Sequence, residues 1–548
     1  MKKSLILFFS MLMIISTVLS ACGPKSAGSG AATASTATAD KQELTVNFQA
    51  EPNSIDWEKC SSNLEIMIFN TMMESLTRTT NDTVKPGMAE KWETSADGLT
   101  WTFHLRDAKW TDGQPVKAQD FYYGAMRSID PKDPKEFAYY LFDIAGAEEY
   151  NEGKATADKV GIKVVDDKTI QYTLKNPVPY FTYLVSFPTF GPCRQDLYER
   201  DGSKYNTEVE KVVTNGPFKL QSWEHEAEMV FAKNPDYWDN ANIKLDKVNA
   251  LMINDENTEF NMYESGELDE TASLTAEQKA VMTKGNVENY YDGSVWYFTF
   301  NNTHPVLKNA NIRRALTLGI DRKTFIENVA KQPWSVALAF VQPEIVPDAD
   351  GKTPFRDKTP GYFKDNDIDG AKAALAQGMK ELGITSLPKL KLLCNDAPSS
   401  QQYAQAFQEM WKKNLNVEVD IEPVPSSVRI DRQNKHDFDI SLAGWSPDYP
   451  DAMGDLDILV TGSGTNNAAY SNPKYDELIE SAKLEPDVNK RFDMLHQAED
   501  LLMQDMPIGP IYYRYKNYGL REYVKNLHRV AIGGDIDFVY AYIEGKGK

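Results

Sequence analysis

Cysteine and histidine are the scarce residues of this 548-residue chain: four cysteines (Cys22, Cys60, Cys193, Cys394) and six histidines (His104, His225, His304, His436, His496, His528). Four cysteines exclude a disulfide scaffold, and if Cys22 is modified at most one bond can form among the other three. No two histidines stand three or four residues apart, so no zinc site of the usual helical kind is legible. A P-loop, a G-x-G-x-x-G run after a strand and a G-x-S-x-G elbow are also missing; Gly462-Ser463-Gly464 reads as a bare turn. The run from Asp365 to Gly370 opens like a calcium loop, but Ala376 stands at its twelfth position, where a bidentate glutamate is needed. Asp369 is read instead as the cap of a helix over 371–382. Paired carboxylates could hide among 80 acidic residues, yet none stands out. These absences point to a protein that is not an enzyme and that needs neither cofactor nor metal.

Positive charge is in deficit as well. Lysine and arginine number 59 against 80 acidic residues, a net charge of −21, or −23 once Lys2 and Lys3 leave with a leader. That balance argues against nucleic acid as a partner and against membrane contact through surface charge. The one long apolar run, Leu5 to Leu19, is short for a membrane span. It follows Lys2-Lys3 and precedes Leu19-Ser20-Ala21-Cys22, so residues 1–21 read as a secretory signal. The cleavage region resembles the lipobox of bacterial lipoproteins, which implies a lipid on Cys22; in the alternative, Cys22 is incidental in a secreted soluble protein. Residues 22–40 are rich in Gly, Ala, Ser and Thr, without an aromatic or branched aliphatic residue, and read as a flexible tether. The expected location is extracytoplasmic, on the outer face of a bacterial cell membrane, anchored through Cys22.

The remainder, about 500 residues, is long enough for two or three domains. Strand character appears at 43–49 and at 100–105, where Trp101, Phe103 and Leu105 alternate with Thr100, Thr102 and His104. Leu64, Met67, Ile68, Met72 and Leu76 have helical spacing, predicting a helix over 63–76. A hairpin is expected over 160–174 about Asp166-Asp167. A helix over 311–320 is followed by Asp321 as cap of the next, and further helices are expected over 475–480 and 491–504, with an aromatic strand over 510–515. The pattern is mixed α/β without a regular βαβ rhythm.

One stretch concentrates chemistry: Ala443-Gly444-Trp445-Ser446-Pro447-Asp448-Tyr449-Pro450-Asp451, after a strand-like run at 438–442. Its prolines fix φ and remove donors, so the loop holds its side chains at low entropic cost. A carboxylate, Asp448, between two aromatics, Trp445 and Tyr449, suits a small cationic group such as a ligand amine. A plain surface turn with Trp445 in the core accounts for the same residues.

Four ordered segments resemble the family-5 extracellular solute-binding proteins of ABC transporters, the oligopeptide- and dipeptide-binding lipoproteins. They are Ala89-Glu90-Lys91-Trp92 through Asp120-Phe121; Asn215-Gly216-Pro217-Phe218 with Asn234-Pro235-Asp236-Tyr237-Trp238; Asn311 to Leu316 with Gly319-Ile320-Asp321-Arg322; and the 443–451 loop followed by Asn472-Pro473-Lys474-Tyr475-Asp476. The resemblance implies an α/β, two-lobed periplasmic-binding-protein-like fold with a hinge and an additional α/β domain, three domains in all. The first lobe would take 41–69, 194–293 and 514–548, the extra domain 70–193 and the second lobe 294–513. It implies a monomeric receptor that captures oligopeptides and delivers them to a permease driven by ATPase subunits. Asp448 would pair with the ligand's α-ammonium, with Gly444, Trp445, Ser446 and Tyr449 around it; Tyr140, Asn261 and Tyr513 are placed by the family's layout. Two positions depart from a peptide-binding branch that holds a ligand carboxylate with an arginine and a histidine: Leu442 and Ser399-Ser400 stand there. The alternative is the same fold binding an oligosaccharide, a signalling peptide or a metal chelate; a secreted hydrolase is the reading from another class.

Overall fold

The computed structural model describes residues 41–60, 62–81, 83–133 and 135–546; the expected signal, tether and Cys22 lie outside them. Residues 41–548 form one compact unit. Its first sheet places Glu43–Asn47 parallel to Lys247–Leu251, followed by Glu228–Lys233 and Phe218–Glu224 antiparallel. Leu44, Val46, Val248 and Ala250 are wholly buried, the period of two that a half-buried strand requires. The second sheet is antiparallel throughout, in the order Ala89–Thr94, Thr100–Leu105, Thr169–Thr173, Ile162–Asp166. Trp101, Phe103 and Leu105 face its core as their alternation predicts, and the expected hairpin closes it.

The third sheet runs Ser335–Val336, Ile508–Leu520, Asn286–Phe300, Ile440–Trp445, Leu390–Asn395, Val419–Val424. Its last pair is parallel, joined by the helix Pro398–Leu415. The strands Asn286–Phe300 and Ile508–Leu520 pair from Asn286↔Leu520 to Thr299↔Ile508, with register shifts between Tyr291 and Ser294 and between Trp296 and Tyr297. Gly293 sits in the first of these shifts at φ +76°, a left-handed conformation that glycine adopts without strain.

Several elements differ from their sequence patterns. The helix Asn63–Met72 stops short of Leu76 because Asn215 takes over the backbone beyond it: its Oδ1 accepts from Glu74 N at 2.9 Å and its Nδ2 donates to Glu74 O at 3.0 Å. The cap of the helix Ile368–Leu382 is Asp367, which accepts from Gly370 N at 3.1 Å, and not Asp369. Asp369 lies in the first turn, where its charge favours the helix dipole. Asp365 has left the loop altogether, accepting from Arg322 N and Lys323 N. Asp321 caps as expected, through Thr324 N at 2.9 Å, but the helix that follows becomes a π-helix over Phe325–Ala330. Cys60, Cys193 and Cys394 are all buried and unpaired, so the one disulfide the count allowed is not made.

Candidate ligand-binding site

The strand Ile440–Trp445 outruns its expected end at 442 and delivers the chain into the Asp448 loop. Gly444 lies against Trp296, its register partner; a Cβ there would come within 2.7 Å of the indole ring. The loop is pinned at both ends. Trp445 Nε1 donates to Gly454 O at 2.9 Å, and the buried Asp451 is gripped by Arg491 through two bonds of 2.8 Å. A bidentate pair of this kind fixes orientation as well as charge. Between the pins, the Tyr449 ring stacks on Tyr180 with centroids 4.0 Å apart and planes 7° from parallel.

Asp448 opens onto a cavity of ≈ 300 Å³ that also takes Tyr449 from the loop, Tyr139, Tyr140 and Asp143 from the segment around Glu136–Leu141, and Tyr180. Asp457, Lys483 and Arg491 complete its charged lining. Burial pushes the Asp448 carboxyl up, opposed by hydrogen bonds from the Tyr140 and Tyr139 hydroxyls. Asp457 is pushed up to about 6, first by burial; Lys483 opposes this, while Asp451, Asp448 and Asp143 reinforce it. Burial raises Asp143 too, against Lys175 and Lys483. Carboxylates whose charge is disfavoured and whose walls are aromatic form a place where an added cation is welcome.

Asp448, Tyr449 and Tyr140 are thus brought together. Trp445 is half-buried beside the loop and does not line the cavity, and Gly444 and Ser446 are exposed at its approach. Asn261 is exposed on the helix Glu256–Ser265, and the buried Tyr513 donates to Ala339 O and Val341 O; neither reaches this lining. Asp448 is not the only carboxylate in the cavity: Asp143 and Asp457 share it. The Tyr139-Tyr140 doublet was the one visible signal for the far wall; Asp143, Tyr180 and Asp457 carried none. A second cavity of ≈ 820 Å³ shares Tyr180 and takes Pro450 and Asp451 from the same loop. Leu442 and Ser400 line one small hollow with Trp296 and Asn395, and Arg429 reaches the rim, donating to Asn395 Oδ1 at 2.8 Å.

The family model described as bacterial extracellular solute-binding proteins, family 5, matches residues 83–467. The chain is 36% identical over 547 residues to the oligopeptide-binding protein OppA of Bacillus subtilis (strain 168), covering 98% of each. Among solved structures, the periplasmic murein tripeptide-binding protein MppA in its unliganded open form aligns with a TM-score of 0.79 at 30% identity, over 92% of this chain and 98% of that one. OppA of Listeria monocytogenes bound to peptide gives 0.68 at 29% identity, over 92% and 99%. These neighbours share one α/β architecture, the periplasmic-binding-protein-like fold that the four sequence segments implied. This chain belongs to family 5 of the bacterial extracellular solute-binding proteins.

Proposed function

We propose that this protein is the lipid-anchored receptor of an ABC importer, capturing oligopeptides outside the cytoplasm and passing them to the permease and its ATPase subunits. The observation that carries the reading is Asp448: a carboxylate on a loop pinned by Arg491, facing two tyrosine hydroxyls across an aromatic cavity. Asp448 receives the peptide's α-ammonium, which replaces two neutral donors with a full positive charge. Tyr140 and Tyr449 flank that group, while Gly444, Trp445 and Ser446 offer backbone to an extended ligand, as an added strand would use it. The cavity of ≈ 820 Å³ gives the later residues room. The chain binds and releases its ligand without transforming it, and works as a monomer.

The domain layout belongs to the same reading. A first lobe over 41–69, 194–293 and 514–548, an extra domain over 70–193 and a second lobe over 294–513 divide the chain. The boundaries at 293 and 513 fall within two residues of the register shift between Tyr291 and Ser294, where the paired long strands are least regular and a hinge costs least. Calorimetric titration of one peptide with a free and with an acetylated N-terminus tests the site. The free form should bind more tightly, and Asp448→Asn should shrink the difference. Equal affinity of the two forms for the unaltered protein refutes the role of Asp448.

A further inference from the structure

The chain-wide deficit of positive charge conceals a groove where cations gather without carboxylate partners. It has a volume of ≈ 890 Å³ and is bordered by Lys85, by Arg106, by Trp238 and Lys244, and by Tyr540 and Tyr542. Each of its three cations lies over a ring. The Arg106 guanidinium is 3.5 Å from the Trp238 centroid, Lys244 Nζ is 3.9 Å from that of Tyr542, and Lys85 Nζ is 6.0 Å from that of Tyr540. Arg106 Nε donates to Gly87 O at 2.7 Å, and none of the three forms an ion pair among the described residues. The groove's two carboxylates are the exposed Glu90 and Asp239, which already accepts from the Tyr540 hydroxyl and Asn242. Lys85 and Lys244 are exposed, while the three aromatic rings are half-buried with an edge to solvent.

The groove also lies where the chain enters the structure. Gln42 exchanges two bonds with the Ile543 backbone, of 2.8 and 3.0 Å, directly after Tyr542. Its carbonyl accepts from Asp246 N at 2.8 Å, two residues beyond Lys244. Residues 22–40 are all that lies between Cys22 and this rim, and at full extension they could span at most roughly 65 Å. A lipid on Cys22 would tether the chain to the bilayer on the side where this rim begins.

We propose that the groove of Lys85, Arg106 and Lys244 docks onto anionic phospholipid headgroups of the membrane that holds the anchor, an inference resting on the reading of Cys22 above. Tryptophan and tyrosine settle at headgroup depth, and lysine and arginine are drawn to an anionic surface. The remaining surface of a chain with net charge −21 is repelled from the same membrane, so the groove sets which face turns toward it. An acidic loop of the permease would satisfy the same three cations, and the test separates the two.

The compact unit 41–548, which lacks the anchor, is sedimented with vesicles of phosphatidylcholine alone and of equal parts phosphatidylcholine and phosphatidylglycerol. Binding is expected only to the anionic vesicles, weakening as salt is added. The triple variant Lys85→Gln, Arg106→Gln, Lys244→Gln should weaken it on the order of a hundredfold. A control triple, Lys163→Gln, Lys308→Gln, Lys372→Gln, removes equal charge elsewhere and should leave it unchanged; retained peptide binding certifies that both variants are folded. The proposal is overturned by vesicle binding that ignores lipid charge, by equal losses in the two triples, or by a groove variant that binds vesicles normally but no longer binds detergent-solubilised permease. Release of a Cys22→Ser chain from cell membranes is measured separately, so failure of the groove and failure of the anchor are told apart.

Discussion

Asp448 and Asp457 share a cavity in which burial already disfavours their charge, so a ligand cation must draw a proton off them or find them ionised. Their raised values fix the sign of the pH dependence. Below about pH 6, where Asp457 is protonated, the cavity loses part of its attraction for an ammonium, and burial shifts Asp448 in the same direction. Affinity for free-amine peptides should therefore fall between about pH 7 and about pH 5, with proton release on binding, while acetylated peptides show no such trend. Calorimetry in buffers of differing ionisation enthalpy reads both quantities. Because Asp143 and Asp457 remain when Asp448 is neutralised, Asp448→Asn should cost about 1.5–3 kcal/mol, the worth of one charged hydrogen bond, and leave measurable binding.

At the scale of elements, Arg127 ties the helix Ala118–Ser128 to the turn Trp57–Lys59. Its guanidinium bonds Asp56 and Glu58 at 2.8 Å each and lies 3.6 Å from the Tyr198 ring centroid. Burial pushes Glu58 up to about 8 despite Arg127. That group holds its proton longer in the folded chain than in the unfolded one. Its stabilising contribution is complete below its ordinary range near 4.5 and is lost as pH rises through about 8. Arg127→Met strands the buried Asp56 carboxylate, which Arg127 holds below its ordinary range, and should cost about 3–5 kcal/mol in urea unfolding near neutral pH, the deficit shrinking in acid as Asp56 protonates. What the sequence revealed at this scale was whatever neighbouring residues decide. The alternation at 100–105 and the Asp321 cap are set within one strand or one turn and are found where expected. The end of the first helix is set by Asn215, 141 residues away, and no local pattern could show it. The far wall of the cavity was hidden for the same reason, since the segment of Tyr139 and Asp143 meets Tyr180 and Asp457 only in the fold.

Across the whole molecule, the Tyr180–Tyr449 stack is a contact between the proposed extra domain and the second lobe, beside the proposed ligand. A double-mutant cycle of Tyr180→Ala and Tyr449→Ala, read by unfolding, should give a coupling of about 0.5–1.5 kcal/mol for a parallel aromatic pair. At the proposed hinge, Gly293→Ala forces an alanine into a left-handed conformation with Ala531 O and Ser446 Oγ each 3.1 Å from the new carbon. About 1–2 kcal/mol of stability should be lost in the same assay. Both values concern how the two sides of the cleft meet, and neither identifies what lies between them. That is decided by mass spectrometry of the ligand retained when the protein is purified without its lipid. The proposed receptor should release peptides of mixed sequence with free N-termini. A sugar, a metal complex or uniformly blocked peptides would contradict the assignment of Asp448 and, with it, the function proposed for this chain.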